Sequence, residues 1–117
     1  MFQLFLRARA IHVEDLAAAH ALAHEQLLNG SIGGCFNLGT GSGCSVREVI
    51  TAIEAAAGRK IPLVVKLRRP GDPPVLVADP SLARQFLGFR PKVSDLATIV
   101  ASAWAWHQKA HLRHNAA

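Results

Sequence analysis

The glycine loop Gly39-Thr40-Gly41-Ser42-Gly43 constrains the fold more than any other stretch of the chain. Three glycines in five residues sustain neither a helix nor a strand, so whatever precedes them ends there. Two residues later Ser45-x-x-Glu48 has the form of a capping box, in which each side chain satisfies the other residue's backbone amide at the start of a helix. Val46, Val49, Ile50, Ile53 and Ala57 then form one apolar stripe, and Gly58 stops it. Ahead of the loop, Cys35-Phe36-Asn37-Leu38 is expected as a short strand. Strand, loop and helix in that order point to an α/β or mixed α+β domain.

The flanks extend this pattern. A first helix is expected over residues 14–28, with Glu14 and Asp15 where the helix dipole favours negative charge and Asn29-Gly30 as its stop. Its apolar stripe is Leu16, Ala19, Ala23 and Leu27. Residues 63–67 are apolar and β-branched enough for a strand. Arg68-Arg69-Pro70-Gly71-Asp72-Pro73-Pro74 must be a loop, because three prolines and a glycine exclude regular structure. Residues 75–78 can be extended. Asp79-Pro80 supplies an N-cap and a proline at the first helical position for a short helix over 81–87, closed by Gly88. Ser94 opens a last helix with Leu96, Ile99, Val100, Ala103 and His107 on one face and Trp104 and Trp106 flanking it. From Ala110 the tail is expected to fray.

Composition narrows the class. At 117 residues the chain is one domain or a piece of one, and although half of it is apolar, 20 residues are alanine, so the core should be thin. The net charge of +5 favours an anionic partner. Nucleic acid is not expected, because the basic residues are scattered and lack interleaved aromatics. No apolar run reaches membrane-spanning length, and residues 1–6 lack the basic region and cleavage site of a signal peptide. Cys35 and Cys44 are too few for a disulfide framework, so a cytoplasmic protein with reduced thiols is expected.

Few residues suggest autonomous catalysis. The glycine loop invites a dinucleotide reading, but G-x-G-x-x-G requires glycine where Cys44 stands, and no acidic residue follows at ribose-binding distance. A tight turn between strand and helix is the plainer reading. His20 with His24, and His107 with His111, share helix faces, yet no third ligand completes a metal site. Asp15, Asp72, Asp79 and Asp95 read as caps or turn residues. Neither cysteine has a cationic neighbour that would activate it. The most pointed feature is Arg68-Arg69-Pro70-Gly71-Asp72. Guanidiniums on a proline-stiffened loop can meet a diphosphate, and a carboxylate close by can accept from a ribose diol. A solvated turn in a basic protein is the competing reading.

Taken together, the motifs resemble the C-terminal part of UDP-glucose 4-epimerases, in the extended short-chain dehydrogenase/reductase family. The resemblance runs over residues 11–111. It rests on Ile11-His12-Val13-Glu14-Asp15-Leu16-Ala17, Phe36-Asn37-Leu38-Gly39-Thr40-Gly41 with Ser45-Val46, and Arg68-Arg69-Pro70-Gly71-Asp72-Pro73. It continues through Ala78-Asp79-Pro80-Ser81, Leu87-Gly88-Phe89-Arg90-Pro91 and Trp104-Ala105-Trp106-His107. Residues 1–10 look unrelated to the family, and 112–117 read as a disordered tail.

This resemblance implies a small substrate-binding C-terminal subdomain of an NAD-dependent epimerase, without its Rossmann domain. In the intact family, NAD takes hydride from C4 of the sugar while a Tyr-x-x-x-Lys pair removes the 4-hydroxyl proton, and the 4-keto sugar turns over before hydride returns. Arg69 would match an arginine on the UDP diphosphate, and Asp72 a residue on the ribose. The chain has no tyrosine and no G-x-x-G-x-x-G, so no catalytic residue, resident NAD or metal is expected in it. The family usually reads Arg-Asp-Tyr before Ile-His-Val; here those positions are Ala8, Arg9 and Ala10, with Arg7 and Arg9 out of register as replacements. A truncated or frame-disrupted epimerase, inactive alone, is therefore the leading expectation. Its alternatives are a non-catalytic UDP-sugar-binding module, a module that complements a separate Rossmann-domain chain, or part of another nucleotide-sugar epimerase or dehydratase. Apolar faces left uncovered would favour a homo-oligomer.

Overall fold

In a computed structural model, the structure describes residues 7–8, 10–65, 70–71 and 75–114. Four helices dominate, with little strand. Strand β1 (Arg7–Ala8) pairs antiparallel with β2 (Cys44–Ser45), Arg7 opposite Ser45 and Ala8 opposite Cys44. The helices are α1 (Val13–Leu28), α2 (Val46–Ala57), α3 (Ser81–Leu87) and α4 (Leu96–His114).

The capping box forms as its spacing predicts. The Glu48 amide donates to Ser45 Oγ at 3.2 Å and the Ser45 amide to Glu48 Oε2 at 2.6 Å, and α2 ends at left-handed Gly58. Helix α3 ends at Gly88, whose φ of 65° lets the chain reverse so that the Phe89 amide reaches the Ala83 carbonyl at 3.1 Å. A side chain at Gly88 would be strained in that conformation, which is why glycine closes this helix. The reversal drives Phe89 into the core, where it joins Ala19, Ala83 and Leu87, with Ile11, Leu22, Ala23, Phe36 and Leu38 packed around them. Helix α2 packs on α4 instead and fully buries none of its residues. The thin core expected from an alanine-rich composition is what forms.

Several expectations need correction. Residues 35–38 are extended but belong to no sheet, because no strand lies beside them to complete a ladder. Residues 63–65 have no regular structure and are exposed, and 66–67 lie outside the described residues. Of residues 75–78, only Val75 forms an isolated bridge. Pro80 occupies the N-cap of α3 rather than its first helical position, and Asp79 Oδ1 accepts from the Ser81 amide at 2.9 Å and from the Ser81 hydroxyl. The last helix is opened by Asp95, which accepts from the Thr98 amide at 2.9 Å, because the Ser94 hydroxyl is engaged elsewhere. Helix α4 also continues past Ala110 to His114. On α1, Leu27 is exposed while Asp15 is buried.

The molecule is flat, 51 × 44 × 22 Å, with a radius of gyration of 17.5 Å against about 13 Å for a compact chain of this length. It exposes 8883 Å², where a compact monomer of this mass exposes about 6,200 Å². Apolar surface accounts for part of the difference: Val13, Leu28, Ile32 and Trp106 are each more than two-thirds exposed.

Candidate functional site

The arginine-rich loop is visible only at its apex. Pro70 and Gly71 form a turn in which Gly71 has φ 91°, as a proline–glycine pair favours at the two central positions of a tight turn. Arg68, Arg69, Asp72, Pro73 and Pro74 lie outside the described residues, so the predicted diphosphate and ribose contacts, Arg69 and Asp72, have no geometry to set beside the prediction.

The glycine loop is filled by its own chain. The Thr40 hydroxyl donates to the Ser42 carbonyl at 2.9 Å, and Arg84 Nη2, from α3, donates to the Thr40 carbonyl at 3.2 Å. A Cβ at Gly41 would already touch Arg84 Nη2 at 3.7 Å and Pro80 Cδ at 3.9 Å. The first turn of α2 carries the Glu48 carboxylate of the capping box, a poor neighbour for phosphate oxygens. The dinucleotide reading of this loop therefore fails: the backbone has no open cradle, and the nearest helix start is already acidic. These residues do not fit the diphosphate of NAD.

The most connected polar cluster lies where α1 meets the approach to α4. His12 caps α1: its Nδ1 accepts from the Glu14 amide at 3.1 Å, which places the ring proton on Nε2, 2.8 Å from Ser102 Oγ. Ser102 donates onward to the Ile99 carbonyl at 3.0 Å. The His12 amide donates to Ser94 Oγ at 2.9 Å, and Ser94 donates to Asp15 Oδ2 at 2.5 Å. Asp15 also accepts from the amides of Lys92 and Val93, at 2.8 and 3.0 Å. Burial alone would push the Asp15 carboxyl up. The Ser94 hydrogen bond, the two amides and the field of His12 together outweigh it and hold the carboxyl below its ordinary range. No buried side-chain polar atom among the described residues lacks a partner. The cluster is a brace: it consumes its own hydrogen-bonding capacity in fixing α1 to residues 92–94 and α4. Sequence reading assigned Asp15 to the helix dipole and missed this role. The signal available was Ile11-His12-Val13-Glu14-Asp15 itself, a polar pair embedded in apolar residues.

Beside the brace, Ile11, Val13, Ile99, Ala103 and Trp106 line an apolar groove of about 510 Å³ floored by His12 and Ser102. The remaining candidates stay apart. His20 Nδ1 meets the Leu16 carbonyl at 2.7 Å, and His107 stacks on Trp104 with ring centroids 5.8 Å apart. Among the described residues no three metal-ligating side chains come together. Cys35 and Cys44 are free thiols. Asp79 and Asp95 are held low by the Ser81 and Thr98 hydrogen bonds respectively, as expected of caps. No helix among the described residues is long and apolar enough to cross a membrane.

No protein-family model matches the chain. Its sequence is 46% identical over 99 residues to the UDP-glucose 4-epimerase of Halalkalibacterium halodurans, a match covering 85% of this chain and 30% of that enzyme. The structure superposes on the Brucella ovis UDP-glucose 4-epimerase in complex with NAD, with a TM-score of 0.77, 48% identity, and coverage of 82% of this chain and 30% of that one. It also superposes on the Bifidobacterium longum enzyme in complex with NAD+ and UDP, with a TM-score of 0.76, 40% identity, and coverage of 89% and 30%. The chain thus spans about a third of the length of the relatives it matches. By sequence and by fold it belongs with the C-terminal part of the UDP-glucose 4-epimerase family.

Proposed function

We propose that this chain supplies the nucleotide side of a UDP-sugar site, with Arg69 on the UDP diphosphate and Asp72 on the ribose, and that it does not epimerise a sugar by itself. The observation that carries the reading is the Arg68-Arg69-Pro70-Gly71-Asp72-Pro73 run, set in a chain 46% identical over 99 residues to a UDP-glucose 4-epimerase. A guanidinium pairs with a diphosphate in a bidentate, charge-assisted way that a lysine cannot reproduce, and a carboxylate accepts from adjacent ribose hydroxyls. The Pro70–Gly71 turn limits the freedom that such a loop loses on binding.

Catalysis needs more than this. Moving hydride off and back onto C4 requires an acceptor and a base poised for the 4-hydroxyl proton. The chain has no tyrosine to act as that base, and its glycine loop is closed to a dinucleotide. Both functions would come from the part of such an enzyme that this chain does not match. A cytoplasmic setting and a role in galactose metabolism accompany this reading, as does complementation by a separate Rossmann-domain chain.

Calorimetric titration with UDP tests the proposal. Saturable binding is expected, weakened at least about tenfold by Arg69→Ala, since a charge-assisted hydrogen bond contributes roughly 1.5–3 kcal/mol. No heat from a chain shown to be folded would refute an independent half-site. Unaltered binding by Arg69→Ala would refute its assignment.

A further inference from the structure

Residues 35–38 have the form of a strand without a sheet. Cys35 and Asn37 are exposed while Phe36 and Leu38 are half-buried against the cluster of Ala19, Ala83, Leu87 and Phe89, the alternation of a strand laid on a helical layer. Phe36 is fixed there by Phe86 of α3, with ring centroids 6.4 Å apart. Yet no backbone amide or carbonyl of these four residues has a hydrogen-bond partner among the described residues. Such an edge is a template for another strand, and proteins commonly guard it with charge. Here the guard is missing. From Gln26 to Val46, 21 consecutive residues include no Asp, Glu, Lys, Arg or His. Ile32 stands fully exposed at the same edge, beside an apolar cavity of about 290 Å³ lined by Leu27, Phe36, Phe86 and Leu87.

We propose that residues 32–38 are a self-association edge, at which two copies of this chain pair antiparallel about a two-fold axis. A second copy suits the edge because backbone pairing about a two-fold is self-complementary. The charge distribution agrees. Two molecules of net charge +5 repel, and the longest uncharged stretch of the chain is where they can meet without opposing like charges. The surface available agrees as well: the area exposed beyond that of a compact monomer exceeds the roughly 800 Å² per partner that a stable interface buries. This inference does not depend on the UDP reading, and the nucleotide loop takes no part in it.

Sedimentation velocity across a dilution series of the reduced full chain, paired with amide hydrogen exchange, tests the edge. The expected result is a monomer–dimer equilibrium in which the amides of residues 35–38 are protected in the dimer and exchange freely in the monomer. Cys35→Glu places a carboxylate on an exposed position of each copy, and Asn37→Pro removes an exposed amide. Each should raise the dissociation constant at least about tenfold with helical circular dichroism unchanged. Cys35→Ser should behave as wild type, which separates charge from loss of the thiol. If Asn37→Pro fails to fold, Cys35→Glu decides the question. A chain monomeric at every concentration overturns the proposal, as does a dimer whose 35–38 amides exchange freely. Protection that arises only on mixing with the N-terminal domain of a UDP-glucose 4-epimerase also overturns it, by placing a different chain on the edge.

Discussion

The brace at the start of α1 and the strip leading into the glycine loop treat the same problem in opposite ways. Around His12, Asp15 and Ser94, six hydrogen bonds tie α1 to residues 92–94 and to α4, and the buried carboxylate has every donor it needs. Along residues 32–38, side chains pack on one face but the backbone bonds to nothing within the described chain, and Ile32 faces solvent. An unpaired backbone group buried without a partner is costly, so the strip stays at the surface, where water can serve it. The brace is finished by this chain alone; the strip is finished only by another strand. Stability should therefore reside in the first region and association in the second.

The sharpest way to break this contrast is to hollow the core that both regions share. Phe89→Ala removes a buried ring and should cost about 3–5 kcal/mol, read as a lowered denaturation midpoint. Cutting the brace comes next. Asp15→Ala strands the amides of Lys92 and Val93 and the Ser94 hydroxyl, an expected loss of roughly 2–4 kcal/mol. The same carboxylate carries a pH signature. Asp15 holds its proton less tightly in the folded chain than in the unfolded one, so its stabilisation is complete above the unfolded value of about 3.9 and is lost as pH falls through the folded value. Acid unfolding curves should show that loss for the wild type and a shallower acid limb for Asp15→Asn.

Smaller effects sharpen the comparison from the other side. Ser45→Ala opens the capping box and should cost about 1 kcal/mol, with α2 exchanging its first-turn amides faster. Ile32→Ser removes an apolar side chain that touches solvent, so the monomer's stability should change by less than about 0.5 kcal/mol. Self-association should nevertheless weaken. A large loss of monomer stability from Ile32→Ser would show that the strip is structural after all.

Much of the fold was legible because its signals are local. Ser45, Glu48 and Gly58 delimit α2 where their spacing predicts, and Gly88 closes α3, since a cap needs only the few residues around it. The glycine loop also reads correctly as a turn and not as a dinucleotide cradle, from Cys44 alone. The candidate site was less legible in structural terms. The Arg69 and Asp72 assignments came from resemblance and stay with sequence, because the structure describes only Pro70 and Gly71 between them.

Sequence by itself determined the local elements of this protein: where helices start and stop, where the chain must turn, and which long stretch carries no charge. Tertiary structure alone decided two others. Asp15 has the same local surroundings whether it serves a helix dipole or accepts from residues 77, 78 and 79 positions away, and only packing brings those donors to it. Residues 35–38 have the alternation of a strand in either setting, but a strand is completed by its neighbour. Whether one is present depends on the arrangement of distant segments, because the ladder's hydrogen bonds run between strands and not along one.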